Sequence, residues 1–200
     1  MMLDIGNVNV SPRVDAESER QHLQRMVDLE AIRQLVAIYP ILVDSNDLEH
    51  LVPLFTEDAT FHRAGHVHSG REELHQFFAQ IMRTYSLKVH TGHQHVVDLA
   101  LGATVAAGVQ MGHGELQLAG QRVVAAYRYD DEYRCVEGRW LFARRQLRYQ
   151  YFSTHDQLGQ SLAGRQRVRL PGAEPRDAEV PEELPSYQAW LAVDVERAPL

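Results

Sequence analysis

Eleven histidines in 200 residues are the first chemistry-bearing feature of this chain. Imidazole titrates near neutral pH, so these side chains are acid–base groups, metal ligands or dispersed surface residues. Two sets form His-x-His pairs, His66/His68 and His93/His95. Imidazole suits zinc, nickel or copper, but an Asp or Glu would have to complete a site. The pairs lack HExxH-type spacing and nothing in the sequence brings them together, so no metal is assigned. On a strand, His90, Gly92, Gln94 and Val96 share one face, while His93, His95 and Val97 share the other. With His90 pointing inward, His93 and His95 are expected to face a subunit interface or solvent. Cys135 carries no nucleophile motif and reads as a structural strand residue. There is no Gly-rich phosphate loop and no Gly-x-Ser-x-Gly elbow. No cofactor is implied.

The elements that must position these groups follow from periodicity. Residues 1–18 show little pattern and read as a flexible N-terminal arm. Leu23, Met26, Val27, Leu29, Ile32, Leu35, Val36 and Tyr39 recur at helical spacing. Pro40 is expected to kink that helix or end its first segment, although the apolar pattern runs on to Asp44. Asp47 is a candidate N-cap for a short helix reaching Leu54. A strand over Ala59–His62, a turn at Arg63-Ala64-Gly65 and a strand over His66–His68 come next. Ser69 and Glu72 have capping-box spacing for a helix through Met82. Four long strands are then expected: Lys88–Leu101, Thr104–Leu118, Gln121–Cys135 and Arg139–Phe152. Residues 19–152 form the domain, and 153–200 a C-terminal extension with a short helix near Tyr187, Trp190 and Leu191. Helices first, then a hairpin, a helix and a meander, imply an α+β fold: a strongly curved, mostly antiparallel sheet wrapped as a cone-shaped barrel around the N-terminal helices.

Composition narrows the function classes. Lys+Arg 20 against Asp+Glu 27 leaves a formal charge of −7, which argues against a duplex nucleic-acid binder. No apolar run approaches the roughly 20 residues that span a bilayer, and Met1-Met2-Leu3-Asp4 does not open a secretory signal. One cysteine excludes an internal disulfide framework and fits a reducing compartment. The expectation is a soluble, cytoplasmic protein with neither nucleic acid nor membrane as partner.

Longer motifs point to a family. Leu29-Glu-Ala-Ile-Arg-Gln-Leu, Asp44-Ser-Asn-Asp47, Leu51 and Leu54-Phe55-Thr-Glu-Asp-Ala-Thr-Phe61 resemble the opening of the SnoaL-like branch of the nuclear transport factor 2-like superfamily. Gly70-Arg-Glu-Glu-Leu74, His90-x-x-x-Gln94, Tyr129-x-x-x-Tyr133 and Gly138-Arg-Trp140-x-Phe142-x-x-Arg145 extend the likeness over roughly residues 20–152. The branch resembled includes cofactor-independent lyases of the scytalone dehydratase, bile-acid dehydratase and hexachlorocyclohexane dehydrochlorinase kinds. The resemblance implies that Asp44 and His90 form a proton-abstracting dyad, with Tyr39 and Arg145 as further catalytic groups. Gln94 stands where the family often has Asn. Gln94, Tyr129, Phe55 and Phe78 are taken as substrate-binding. The lyases resembled are commonly trimers, so a homo-oligomer, with a trimer favoured, is expected.

Such a set has a definite chemistry. Asp fixes the tautomer of His and stabilises the imidazolium formed when His takes a proton. Tyr39 can donate to a leaving hydroxyl or enolate oxygen, and Arg145 can hold a carbonyl, carboxylate or departing anion. The expected function is a dehydratase-type elimination on a largely apolar cyclic, aromatic or steroid-like small molecule. Isomerisation, polyketide cyclisation and carbon–carbon cleavage such as deformylation use the same dyad and stay open. So do an epoxide hydrolase, with Asp44 activating water, and a non-catalytic small-molecule-binding module.

Overall fold

The computed structural model describes residues 19–193 together with Leu3, Ile5 and Val8; the arm expected over 1–18 otherwise lies outside the described residues. In chain order the elements are α1 (Glu19–Asp44), α2 (Leu48–Leu51), a 3-10 turn (Val52–Leu54), β1 (Phe55–Arg63), β2 (His66–Ser69), α3 (Gly70–Thr84), β3 (Tyr85–Asp98), β4 (Val105–Leu118), β5 (Gln121–Val136) and β6 (Arg139–Thr154). The short helices α4 (Leu158–Ser161) and α5 (Pro185–Leu191) follow. The strands make one open sheet in the order β2-β1-β6-β5-β4-β3. Every neighbouring pair is antiparallel except β1 with β6. This is the α+β architecture expected from element order.

Local chemistry explains the elements. The β4–β5 and β5–β6 hairpins turn on Ala119-Gly120 and Glu137-Gly138, with φ of 50° and 77° and of 50° and 78°. Two successive positive φ values match the right-handed twist of the flanking strands. α1 buries Ile32, Leu35, Val36, Tyr39 and Val43, and α3 buries Leu74 and Phe78. These side chains fill the concave face of the sheet in one cluster with Phe61, Tyr129 and Phe142. Trp140 Nε1 donates to Asp28 at 3.0 Å and so ties α1 to β6. Arg71 Nε and Nη2 donate to the Phe55 carbonyl at 2.8 and 2.7 Å, fixing the start of α3 against β1.

Several local expectations change, and β1 begins at Phe55, four residues before the expected Ala59. α1 does not end at Pro40 but runs on to Asp44 with the proline inside it, where Leu42 and Val43 continue the packing. The Ser69 hydroxyl makes no cap; the Ser69 N–H is held at 2.7 Å by Glu73, one residue beyond the expected Glu72. β3 begins at Tyr85, three residues before the expected Lys88.

The C-terminal extension packs on its own body. Beyond Leu147 the edge of β6 is vacated as β1 turns away at Ala64-Gly65, and the extension takes its place. Phe152 N–H donates to Arg167 O at 2.9 Å, and the N–H groups of Glu179 and Val180 donate to Tyr149 O at 3.1 Å. Val168, Ala178 and Val180 are buried at 1%, 3% and 4% exposure.

Candidate active site

Asp44 is the last residue of α1, and His90 lies on edge strand β3. One carboxylate oxygen of Asp44 stands 2.5 Å from His90 Nδ1, and the other accepts the His90 backbone N–H at 2.7 Å. The backbone contact satisfies a donor that an edge strand leaves free. The ring contact places the proton on Nδ1, which leaves Nε2 as a basic lone pair. The ring of His90 lines a cavity of about 60 Å³ between α1, α3 and the concave sheet. Tyr127 meets that ring edge-on, 5.9 Å between centroids.

The faces of β3 do not alternate as expected along its whole length. His90 pairs with Gly114 and Gly92 with Gly112, but His95 pairs with Gln110. Three residues of β3 therefore oppose two of β4, a β-bulge, and a one-residue insertion exchanges the two faces beyond it. Gln94 is turned out and exposed, so it does not reach the cavity. His95 is turned in, and its Nε2 lies 3.0 Å from the Tyr133 hydroxyl. His93 stays exposed, 2.6 Å from His113 Nδ1.

The other expected residues divide between wall and support. Tyr39, Tyr129 and Phe78 line the cavity. Burial raises the pKa of Tyr39 well above the ordinary value, while Tyr129 rises to about 12 for the same reason. Both phenols are protonated donors at neutral pH. Phe55 is fully buried, 6.1 Å from the Tyr39 ring centroid, and supports the wall from outside it.

Arg145 is not on the wall either. Its side chain is fully buried, with the guanidinium 4.1 Å over the Tyr39 ring and 3.7 Å over the Tyr129 ring. Its Nη2 donates to Gln110 Oε1 at 2.6 Å, and its Nε lies 3.3 Å from Asp131 Oδ1. The structure thus keeps Arg145 off the cavity surface and seats the cation behind the two phenols that line it. The cation's field offsets part of the burial-driven rise in the Tyr39 pKa. A polar relay stands behind it, with Tyr133 donating to Asp131 at 2.9 Å. Burial raises the Asp131 carboxyl to about 6, against the opposing pull of Arg145.

Lys88, Arg63 and Tyr149 also line the cavity, although the sequence reading passed over them. Lys88 Nζ donates to Asn46 Oδ1 at 2.7 Å, and burial lowers its pKa. Lys88 was legible in principle, since it sits two residues before His90 on the same strand face. Among the described residues no cluster of three or more His, Cys, Asp or Glu side chains is arranged to hold a metal. His68 instead stacks on Phe77, with 4.2 Å between ring centroids. No helix among the described residues is long and apolar enough to cross a membrane.

A curved sheet packed on helices around an Asp–His pair is an α+β arrangement, and its fold is similar to that of a solved NTF2-like protein with a cystatin-like fold. Residues 24–146 match the model of the SnoaL-like domain, and the chain belongs to that family. No protein of curated function matches it. Among solved structures, a scytalone dehydratase candidate from Novosphingobium aromaticivorans DSM 12444 is 22% identical with a TM-score of 0.61, covering 66% of this chain and 89% of that one. The hexachlorocyclohexane dehydrochlorinase LinA-type3 from Novosphingobium barchaimii LL02 is 21% identical with a TM-score of 0.62, covering 66% and 93%. An NTF2-like protein with a cystatin-like fold from Novosphingobium aromaticivorans is 23% identical with a TM-score of 0.55, covering 68% and 90%. At such identities the likeness is one of fold.

Proposed function

We propose that this protein is a cofactor-independent lyase of the dehydratase type, acting on a largely apolar cyclic small molecule. The observation that carries the reading is the Asp44–His90 contact of 2.5 Å with the imidazole on a cavity wall. His90 Nε2 takes the proton from carbon, the C–H electron pair becomes the new double bond, and the leaving group departs from the neighbouring carbon. Asp44 holds the tautomer and balances the imidazolium. Tyr39 supplies a hydrogen bond to the departing oxygen, and Lys88 lies on the same wall. Isomerisation differs only in returning the proton to another carbon.

The engagement of both Asp44 oxygens with His90 supports its part as the partner of the imidazole, the arrangement that proton abstraction needs. A volume near 60 Å³ is small beside the roughly 300–1,000 Å³ of sites that enclose a whole drug-sized ligand. A steroid-sized substrate would place only its reacting ring in this chamber. The working form is a homo-oligomer, with a trimer favoured, in a reducing cytoplasm. Exposed Leu87 and Val89 on edge strand β3 support the assembly, and light scattering tests it.

The function is tested by offering cyclic alcohols to the wild type and to His90→Asn and following alkene formation. Proton–deuterium exchange at the carbon beside the leaving group, measured in heavy water, reports the first step by itself. Exchange and elimination that both survive in His90→Asn would refute the reading.

A further inference from the structure

Arg63 occupies an unusual place in the charge balance. It ends β1 on the inward face, in register with Leu147 of β6, and it lines the His90 cavity. It also lines a neighbouring apolar pocket of about 310 Å³ formed with Phe77, Phe152, Val168 and Leu170. It is therefore the junction of the two spaces. Its Nε donates to the Tyr149 hydroxyl at 3.1 Å and its Nη2 to the Tyr85 hydroxyl at 3.2 Å. Both partners are neutral phenols.

The carboxylates nearby are already engaged. Glu179 accepts from Arg176 at 3.0 Å and from the Tyr149 N–H at 2.8 Å. Glu183 is held by Arg148, and Asp177 lies 3.4 Å from Arg165. A guanidinium drawn out of water is costly unless a counter-charge meets it. Its planar fork matches a carboxylate in two parallel hydrogen bonds, which two phenols do not reproduce.

We propose that Arg63 anchors the carboxylate of the ligand, so that the substrate class is a ring-bearing carboxylic acid rather than a neutral hydrocarbon alcohol. The acid group sits at the junction, and the apolar body divides between the outer pocket and the His90 chamber. The outer pocket suits such a body: its floor is apolar, and its polar lining is Arg63, His66, His68, Tyr149 and Arg176, with no carboxylate. The C-terminal extension supplies Val168, Leu170 and Arg176 to this wall, which gives that segment a part in ligand selection. The inference rests on the lyase reading for its site but not for its test.

The test compares 2-naphthoate with 2-naphthamide, matched in shape and differing in charge, by isothermal titration. The wild type is expected to bind the acid at least tenfold more tightly than the amide. Arg63→Gln is expected to bring the two affinities together, Arg63→Lys to keep a reduced preference, and Arg176→Gln to keep the preference because Arg176 is already paired. Equal affinities in the wild type, no measurable binding of naphthoate, a preference that survives Arg63→Gln, or an equal collapse in Arg176→Gln would each overturn the proposal. His90→Asn separates the two readings: it should abolish turnover and leave the acid preference untouched. If turnover persists in that variant while the preference holds, the lyase reading falls and the anion site stands.

Discussion

Both oxygens of the Asp44 carboxylate end on His90, one at the ring nitrogen and one at the backbone N–H. A single side chain at the end of α1 thus sets both the position of an edge strand and the tautomer of its imidazole. Loss of either partner has separable consequences. Asp44→Asn keeps an acceptor for the backbone N–H but loses the charge opposite the imidazolium. It is expected to lower kcat by about 10²–10⁴ while the fold is retained, checked by steady-state kinetics beside circular dichroism.

Arg145 is expected to matter first for stability. It is buried against Asp131, and removing one partner of a buried pair leaves an uncompensated charge. Arg145→Met should cost about 3–5 kcal/mol in denaturant unfolding. The double variant Arg145→Met/Asp131→Asn should recover part of that loss, because no unpaired charge is then buried. Equal stability of wild type and Arg145→Met would refute the assignment.

His95 makes a pH prediction. Burial lowers its pKa from 6.5 to about 4. Above pH 6.5 the ring is neutral in both folded and unfolded chains and contributes nothing. As pH falls from 6.5 towards 4, the unfolded chain binds a proton that the folded chain refuses, so stability is lost over that window. The loss is at most about 3 kcal/mol, and smaller to the extent that water reaches the half-buried ring. Asp131 works in the opposite sense, since its raised pKa lets the folded chain take up a proton first below about 6. The difference between wild type and His95→Gln isolates the histidine: the variant should be the more acid-tolerant of the two between pH 6.5 and 4 in parallel urea titrations.

Gly112 is expected to resist any side chain. A Cβ at that position would come within 2.5 Å of the Tyr127 ring, which lies across the strand. Gly112→Ala must push Tyr127 off its seat beside His90 or bend β4, at a cost of about 1–3 kcal/mol. Thermal unfolding should register the cost, and the aromatic circular dichroism band should report the displaced tyrosine.

The elements were legible because they rest on local pattern, whereas the Asp44–His90 pairing was expected only from the family resemblance. A helical stripe that ends at Asp44 and strand runs punctuated by Ala119-Gly120 and Glu137-Gly138 place the helix end and the succession of strands without any knowledge of packing. Period-two alternation also put His90 and Gly92 on one face. It failed after Gly92, because no residue type there announces an inserted residue; the bulge follows from how β3 fits β4, and it moves Gln94 out and His95 in. Likewise Arg145 was expected to meet the substrate directly, and only the assembled sheet supplies the Asp131, Gln110 and tyrosine rings that allow its burial.

What the amino-acid sequence determined by itself was therefore the set of elements and their order, which follow from spacing within a dozen residues; the Asp44–His90 pair, 46 residues apart, was expected only from the resemblance to the family. The tertiary structure alone decided which side chains share the cavity: Lys88, Arg63 and Tyr149 come to it from three strands, and the C-terminal extension turns back onto Tyr149 and Phe152 of its own sheet. Such juxtapositions depend on register and curvature across strands distant in sequence, where a shift of one residue reverses which side chain faces the ligand.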